Sequence, residues 1–337
     1  MHYRCTRRHL FSLLLAPMLA LLVSMAPARA QYEIVVTNFG VSANGMPFAV
    51  ALEKGLFKAE GIDVKGILTS AGGGTTLRNM MAAGVPYAEI NPGAAIGAIQ
   101  AGVDLKIVSD NTLTVAEFAW FVRPDSKIMS PKDMKGMKVG FNNPRATSVA
   151  LLHLILDHAG LKKDDVQMVR TGGFGESLTA LDVGTIDIAA ITEPLWSKYK
   201  SKYRTIAVAS EILPPLDNVV GVALVSMMGE HGNFIRGVIR ARRAAVEFMA
   251  KNPDEASAMI AKHYNTIEPE FVKATVHNLI NSRTNGIPYW GNGQVHLTGL
   301  ARMVEAQKSV GAITGDVNLE AIIDTRFLPD DIKAIVK

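Results

Sequence analysis

From Gln31 to Ala209 the sequence alternates short apolar, strand-like runs with helical runs, and does so twice over. That alternation restricts the chain to a mostly parallel sheet flanked by helices, built in two series. In the first series, strands are expected over Tyr32–Thr37, Gly61–Ile67, Tyr87–Ile90 and Leu105–Ser109. Helices follow over Phe48–Lys54, Leu77–Ala83 and Ala94–Ala101, with Pro47 near a helix start and Gly55, Gly84 and Gly102 as stops. Phe118–Val122 reads as a strand that leaves this half. The second series runs Lys138–Phe141, Val149–Ala159, Val166–Arg170, Phe174–Val183, Ile186–Ile191 and Thr205–Ala209. Pro214 and Pro215 break it, and Val219–Val225 reads as a strand returning to the first half. From His231 onward the pattern is almost wholly helical: Phe234–Ala250, Asp254–Tyr264, Phe271–Asn281, Gln294–Val310 and a final segment after Pro329. These helices are expected to cover the first half and brace the crossover.

The first 30 residues read as a secretory signal peptide. Arg4, Arg7 and Arg8 precede the apolar run Leu10–Met25, and Ala28-Arg29-Ala30 is a small-x-small cleavage site, which places cleavage near Ala30 and the mature chain in the periplasm. Thr6 to Phe11 loosely resembles a twin-arginine export signal. The leader also carries the whole formal charge of +4: without its four arginines the chain has 31 basic and 31 acidic residues. A neutral chain with no lysine or arginine block offers no electrostatic footprint for nucleic acid. Cys5 is the single cysteine, so the mature chain has no disulfide, no cysteine-ligated metal and no cysteine nucleophile. A chain of this size without disulfides relies on its own cores and splits into two lobes. Lobe 1 is expected to comprise residues 31–118 and 215–337, and lobe 2 residues 119–214, in a monomer.

Two strand-to-helix turns carry the binding signal. Ser70 to Met81 reads Ser-Ala-Gly-Gly-Gly-Thr-Thr-Leu-Arg-Asn-Met-Met, a glycine run opening a helix, and Asn142 to Ser148 reads Asn-Asn-Pro-Arg-Ala-Thr-Ser before another. Glycines let the backbone approach a ligand, and the first N–H groups of a helix lack intrahelical acceptors, which suits an anionic or polar group. Thr75 and Thr76 add hydroxyls; the alternative is that they cap the helix. Ligands in open parallel sheets lodge beyond the carboxyl ends of the strands. Read that way, the candidates are Asn38, Phe39 and Asn44 after the first strand, Gly73 to Thr76 after the second and Asn91 after the third. The second half adds Arg145, Thr147, Ser148, Phe174 and Glu193, with Trp120 and Trp196 as further walls; the alternative is that the tryptophans are simply core. Arg145 offers a donor fork for a sulfonate, carboxylate or nitrate, unless it merely faces solvent. Glu193, if it faces the cleft, asks for a ligand that also carries an amino group or hydrogen-bond donor. The catalytic inventory is thin: there is no Gly-x-Ser-x-Gly elbow and no His-x-x-x-His pattern, and His153 and His158 fall on different faces of a helix. No catalytic residue, metal site or cofactor is expected.

Several spaced motifs occur in order: Met46-Pro47-Phe48-x-x-Ala51-x-x-x-Gly55-Leu56-Phe57, Gly61-Ile62-Asp63-Val64, Ala82-Ala83-Gly84, Leu178-x-x-Leu181-x-x-Gly184-x-Ile186-Asp187 and Thr192-Glu193-Pro194, with Gly286-Ile287 and Gly311-Ala312-Ile313 later. In these the chain resembles the periplasmic substrate-binding proteins of ATP-binding-cassette importers, of the nitrate, sulfonate and taurine group that also includes thiamine-pyrimidine-precursor binding proteins. The resemblance implies a type II two-lobed fold, each lobe an α/β sheet, joined by two crossing strands. It further implies closure on a small molecule and delivery to a membrane permease. By the same resemblance the pocket falls on the loop after the first strand, Gly73 to Thr76, Asn91, the helix start near Thr147 and Ser148, and the neighbourhood of Glu193. Two other readings stay in view. One is a pyrimidine-precursor binding protein or synthase-like enzyme, whose synthases share a cysteine-rich iron motif that the mature chain lacks. The other is a ligand-sensing module for a membrane receptor.

Overall fold

The computed structural model describes residues 31–332 and 335–336, so the expected signal peptide, with Cys5 and the leader arginines, lies outside the described residues. The chain folds into two α/β lobes, each around its own sheet. In the first, strands β1 (Gln31–Thr37) and β2 (Asp63–Ser70) run parallel, with β3 (Ala88–Ile90) parallel on the other side of β1. The strand β4 (Leu105–Thr112) belongs to this sheet as well. The second sheet holds β5 (Phe118–Val122), β6 (Lys138–Phe141), β7 (Gln167–Arg170), β8 (Ile188–Thr192) and β9 (Arg204–Val208) in the order β7-β6-β8-β5-β9. The chain then returns as β10 (Val219–Leu224), which enters the first sheet between β3 and β4. A strand unforeseen in the sequence, Trp290–Gly293, closes the far edge against β4.

The two crossing strands, β5 on the way out and β10 on the return, run antiparallel to their neighbours, and this sets the site. Phe118, at the start of β5, pairs with Thr192 at the end of β8, and Val220, near the start of β10, pairs with Ile90 at the end of β3. The beginnings of β5 and β10 therefore lie at the same sheet edges as the ends of the parallel strands. Both β5 and β8 are buried along their whole length, as strands covered on both faces must be.

The glycine run does more than end a loop. Gly73 and Gly74 form the first turn of the helix Gly73–Ala83, which starts four residues earlier than expected. Gly72 sits at φ 153°, a backbone conformation essentially reserved for glycine. A Cβ on Gly73 would stand 2.4 Å from the Cβ of Ala94, so only glycine lets this helix start approach the neighbouring helix Pro92–Gln100. Downstream, Gly232–Lys251 packs on the helix Met46–Glu53 of the first lobe. Pro269–Asn281 and Leu297–Ser309 reach the second lobe, against the helices Leu195–Tyr199 and Thr147–His158. Beyond Pro329 there is no helix among the described residues; Ile335–Val336 instead pairs with Val295–His296.

Beneath the crossover, the Asp110 and Asp217 carboxyls face each other, fully buried, an arrangement that requires a proton between them. Burial is the largest cause of the raised pKa of each, with mutual repulsion adding to that of Asp217. The peptide N–H of His296 and the charge of Arg242 act against it on Asp110, and Arg302 acts against it on Asp217. The sign follows from proton binding: the folded chain holds a proton that the unfolded chain releases in the ordinary carboxylate range. This stabilisation is full at acid pH and is lost as pH rises through the folded value. Asp217→Asn keeps the shape and supplies a donor without a charge. Its thermal midpoint is expected to exceed that of the wild type at pH 8 by roughly 2–4 °C, with the gap closing at pH 5; an equal gap at both pH values would contradict the shared proton.

Candidate functional site

A cavity of about 580 Å³ opens at the facing sheet edges. Its walls come from Thr37, Asn38, Ser42 and Asn44 after β1, Gly72 to Gly74 after β2, and Asn91 after β3. From the other lobe come Asn142, Asn143, Arg145 to Ser148, Phe174 and Thr192. The crossing segments supply Glu117, Phe118, Asn218 and Val219. Of the expected residues, Asn38, Asn44, Gly73, Gly74, Asn91, Arg145, Thr147, Ser148 and Phe174 come together around this one space.

Among the described residues, three helices begin at this cavity with no side chain capping them: Gly73–Ala83, Thr147–His158 and Phe174–Asp182. The earliest N–H groups of each have no intrahelical acceptor, and the partial positive charge of each helix start favours an anion. Arg145 stands one residue before the Ala146 N-cap of the second of these. Its side chain is exposed, and among the described residues its guanidinium makes no hydrogen bond or ion pair. Its own N–H donates to Asn143 Oδ1 at 2.9 Å, which shapes the turn. The helix Pro92–Gln100 differs, because Asn91 Oδ1 caps it by accepting from Ala94 N at 2.8 Å. Asn44 is also committed in part: its Nδ2 donates to Glu89 Oε1 and to the Thr37 carbonyl.

Five expected residues do not line the cavity. Trp120 is fully buried in the second-lobe core beside Leu151 and Ile188. Alternation along β5 puts Phe118 and Trp120 on one face, but only Phe118 is near the edge. Glu193 is 1% exposed and turned inward. Its carboxylate accepts from Ser197 N (2.9 Å), Ser197 Oγ (2.8 Å), Thr275 Oγ1 (3.1 Å) and Asn278 Nδ2 (3.3 Å), joining the start of Leu195–Tyr199 to Pro269–Asn281. It is a structural tie, and Glu193→Ala is expected to lower unfolding free energy by about 2–4 kcal/mol while leaving ligand affinity unchanged; the reverse pattern in denaturant titration and calorimetry would return Glu193 to the site. Thr76 is fully buried, its Oγ1 shared with Thr37 Oγ1 (2.6 Å), Ser70 Oγ and the Gly72 carbonyl (3.1 Å). Thr75 accepts from Arg78 at 3.0 Å, and the Phe39 ring packs toward His263 and Tyr264 with centroids 5.9 Å away. Trp196, also suggested as a wall, packs with the second-lobe core and donates to Thr205 Oγ1.

The residues missed in the sequence are Glu117, Phe118, Asn218 and Val219, with Gln100 and Thr314 at the rim. Glu117 is 3% exposed; burial is the main cause that pushes its carboxyl up to about 8, with the Glu193 charge adding to it. Among the described residues no group of three or more His, Cys, Asp or Glu is placed to hold a metal ion.

Residues 42–256 match the model of the family described as NMT1/THI5 like. A Brucella abortus (strain 2308) protein with a provisional binding-protein name is 27% identical over 279 residues, 81% of this chain and 80% of that one. Among solved structures, the periplasmic aliphatic sulphonate binding protein SsuA from Escherichia coli superposes with a TM-score of 0.73 at 18% identity, covering 90% of this chain and 94% of its own. The desulfurization enzyme DSZB reaches 0.65 at 15% identity, over 88% and 97%. The fold is thus that of the periplasmic binding proteins, and a protein named as an enzyme shares it. The chain belongs to the NMT1/THI5-like family.

Proposed function

We propose that this protein is an extracytoplasmic solute-binding protein that captures a small organic anion between its lobes and delivers it to an ATP-binding-cassette importer. The observation that carries this reading is the Arg145 guanidinium, without a hydrogen bond or ion pair among the described residues, beside the uncapped start of Thr147–His158 in a cavity large enough for an organic molecule. The fold shared with a sulphonate-binding protein supports the ligand class, and the expected leader supports export. We take the lobes to divide at 118/119 and 214/215, so that the two crossing segments act as the hinge. The ligand's anionic end sits at Arg145 and the N–H groups of Thr147 and Ser148. Gly72 to Gly74 close over it from the other lobe. Calorimetric titration with sulfonates, nitrate, aromatic carboxylates and pyrimidines tests the reading: saturable binding of an anion supports it, and no binding across the panel contradicts it.

A further inference from the structure

Among the described residues, two ionisable side chains line the cavity, Arg145 on the second-lobe wall and Glu117 at the first crossing segment. Glu117 is buried where three parts of the chain meet. Its carbonyl accepts from Glu193 N at 3.0 Å, its Oε1 accepts from Asn218 Nδ2 on the other crossing segment at 2.5 Å, and its Oε2 is partnered by the Tyr289 hydroxyl. These hydrogen-bonding partners are neutral, and among the described residues Glu117 forms no ion pair. The charge that acts on it is that of Glu193, which repels a second carboxylate. A carboxylate enclosed without a cation is costly, and a proton removes the cost.

We propose that the Glu117 proton regulates anion binding: with the proton in place the crossing-segment side of the cavity is uncharged and admits an anion, and its loss sets a carboxylate there that weakens the anion's hold. This regulation rests on the anion-binding reading above. Like charges sharing one poorly solvated space repel, so proton and anion favour each other's binding by the same factor. Burial is the main cause that holds the Glu117 carboxyl at about 8, above the ordinary carboxylate range, so the neutral form prevails at pH 7. Anion affinity is therefore full below that value and is lost as pH rises through it. The groups that face Glu117 are the Tyr289 hydroxyl, whose proton burial holds more firmly still, the Asn218 amide, the Glu193 carboxylate and its own peptide N–H. Across the cavity stands Arg145, and a guanidinium does not titrate in this range.

The test is isothermal titration of the protein at pH 7, 8 and 9 with propanesulfonate and nitrate, whose own charges are constant over that span. The wild type is expected to bind about tenfold more weakly at pH 9 than at pH 7 and to take up about half a proton per anion at pH 8, read in two buffers of different ionisation enthalpy. In Glu117→Gln, a neutral stand-in for the protonated acid, the ratio between the two pH values is expected to fall to about one, with circular dichroism confirming the fold. A wild-type ratio under about twofold, a ratio unchanged in Glu117→Gln, or binding at pH 8 without proton uptake would each overturn the proposal while leaving anion binding intact, the last without needing a variant. Silence of both probes overturns it as well, and if no anion of the wider panel binds, the anion-binding reading falls with it.

Discussion

Arg242→Ala is expected to cost about 3–5 kcal/mol of folding free energy, the effect of stripping one partner from a buried ion pair. Arg242 is 1% exposed within the helix Gly232–Lys251. Its Nη1 donates to the Gly291 carbonyl (2.8 Å), its Nη2 to the Asn111 carbonyl (2.6 Å), and its Nε lies 3.3 Å from Glu89 Oε2. Glu89, fully buried on β3, also accepts from Asn44 and Asn111. Burial raises its pKa, and Arg242 is the main group opposing that. Without the guanidinium Glu89 takes up a proton more readily, so the penalty is expected to deepen as pH rises from 5 to 8. Urea unfolding at both pH values checks this, and Arg242→Met combined with Glu89→Gln should recover part of the loss. A cost under 1 kcal/mol, or no pH dependence, would mean that the pair does not hold the sheet together. Because Glu89 also holds Asn44 on the cavity wall, the same substitution is expected to weaken ligand binding.

Arg145→Ala is expected to weaken binding of an anionic ligand roughly 10- to 150-fold, equivalent to about 1.5–3 kcal/mol for a charge-assisted bond, without loss of stability. The second half of that expectation follows from its exposed side chain, which packs into no core and forms no ion pair among the described residues. Arg145→Lys should fall between the two, since an ammonium keeps the charge but loses the planar fork. Equal affinity in all three proteins would remove Arg145 from the site.

The parallel architecture was legible because strand and helix periodicities differ, and because glycine and proline punctuate the turns. Lys138–Phe141 was placed to the residue. The third strand of the same sheet was harder: Ile188–Thr192 begins two residues later than Ile186, whose side chain is core without being strand. At the site, the rule that ligands lie beyond strand carboxyl ends found Asn38, Asn91 and the start of Thr147–His158. It missed Glu117, Phe118, Asn218 and Val219 for a definite reason. These residues open antiparallel strands, so they reach the same edge by their amino ends, and strand direction is a property of long-range pairing that local pattern does not carry. Trp120 stands two residues further along the same face of β5 than Phe118, which puts it in the second-lobe core rather than at the edge. Glu193 and Thr76 misled for another reason: polar residues at a turn serve equally well as internal ties, and only the positions of Thr275, Asn278, Thr37 and Ser70, far off in sequence or across the turn, decide between the roles.

The claim on which the account turns is that an anion lodges between Gly72–Gly74 of one lobe and Arg145–Ser148 of the other. A crystal structure of the protein with the tightest-binding compound from the titration panel tests it most directly. The account predicts the anionic oxygens within hydrogen-bonding distance of the Arg145 guanidinium and the N–H groups of Thr147 and Ser148, with the lobes closed over them. A compound bound outside this cavity, or inside it with its anionic end turned away from Arg145, would contradict it.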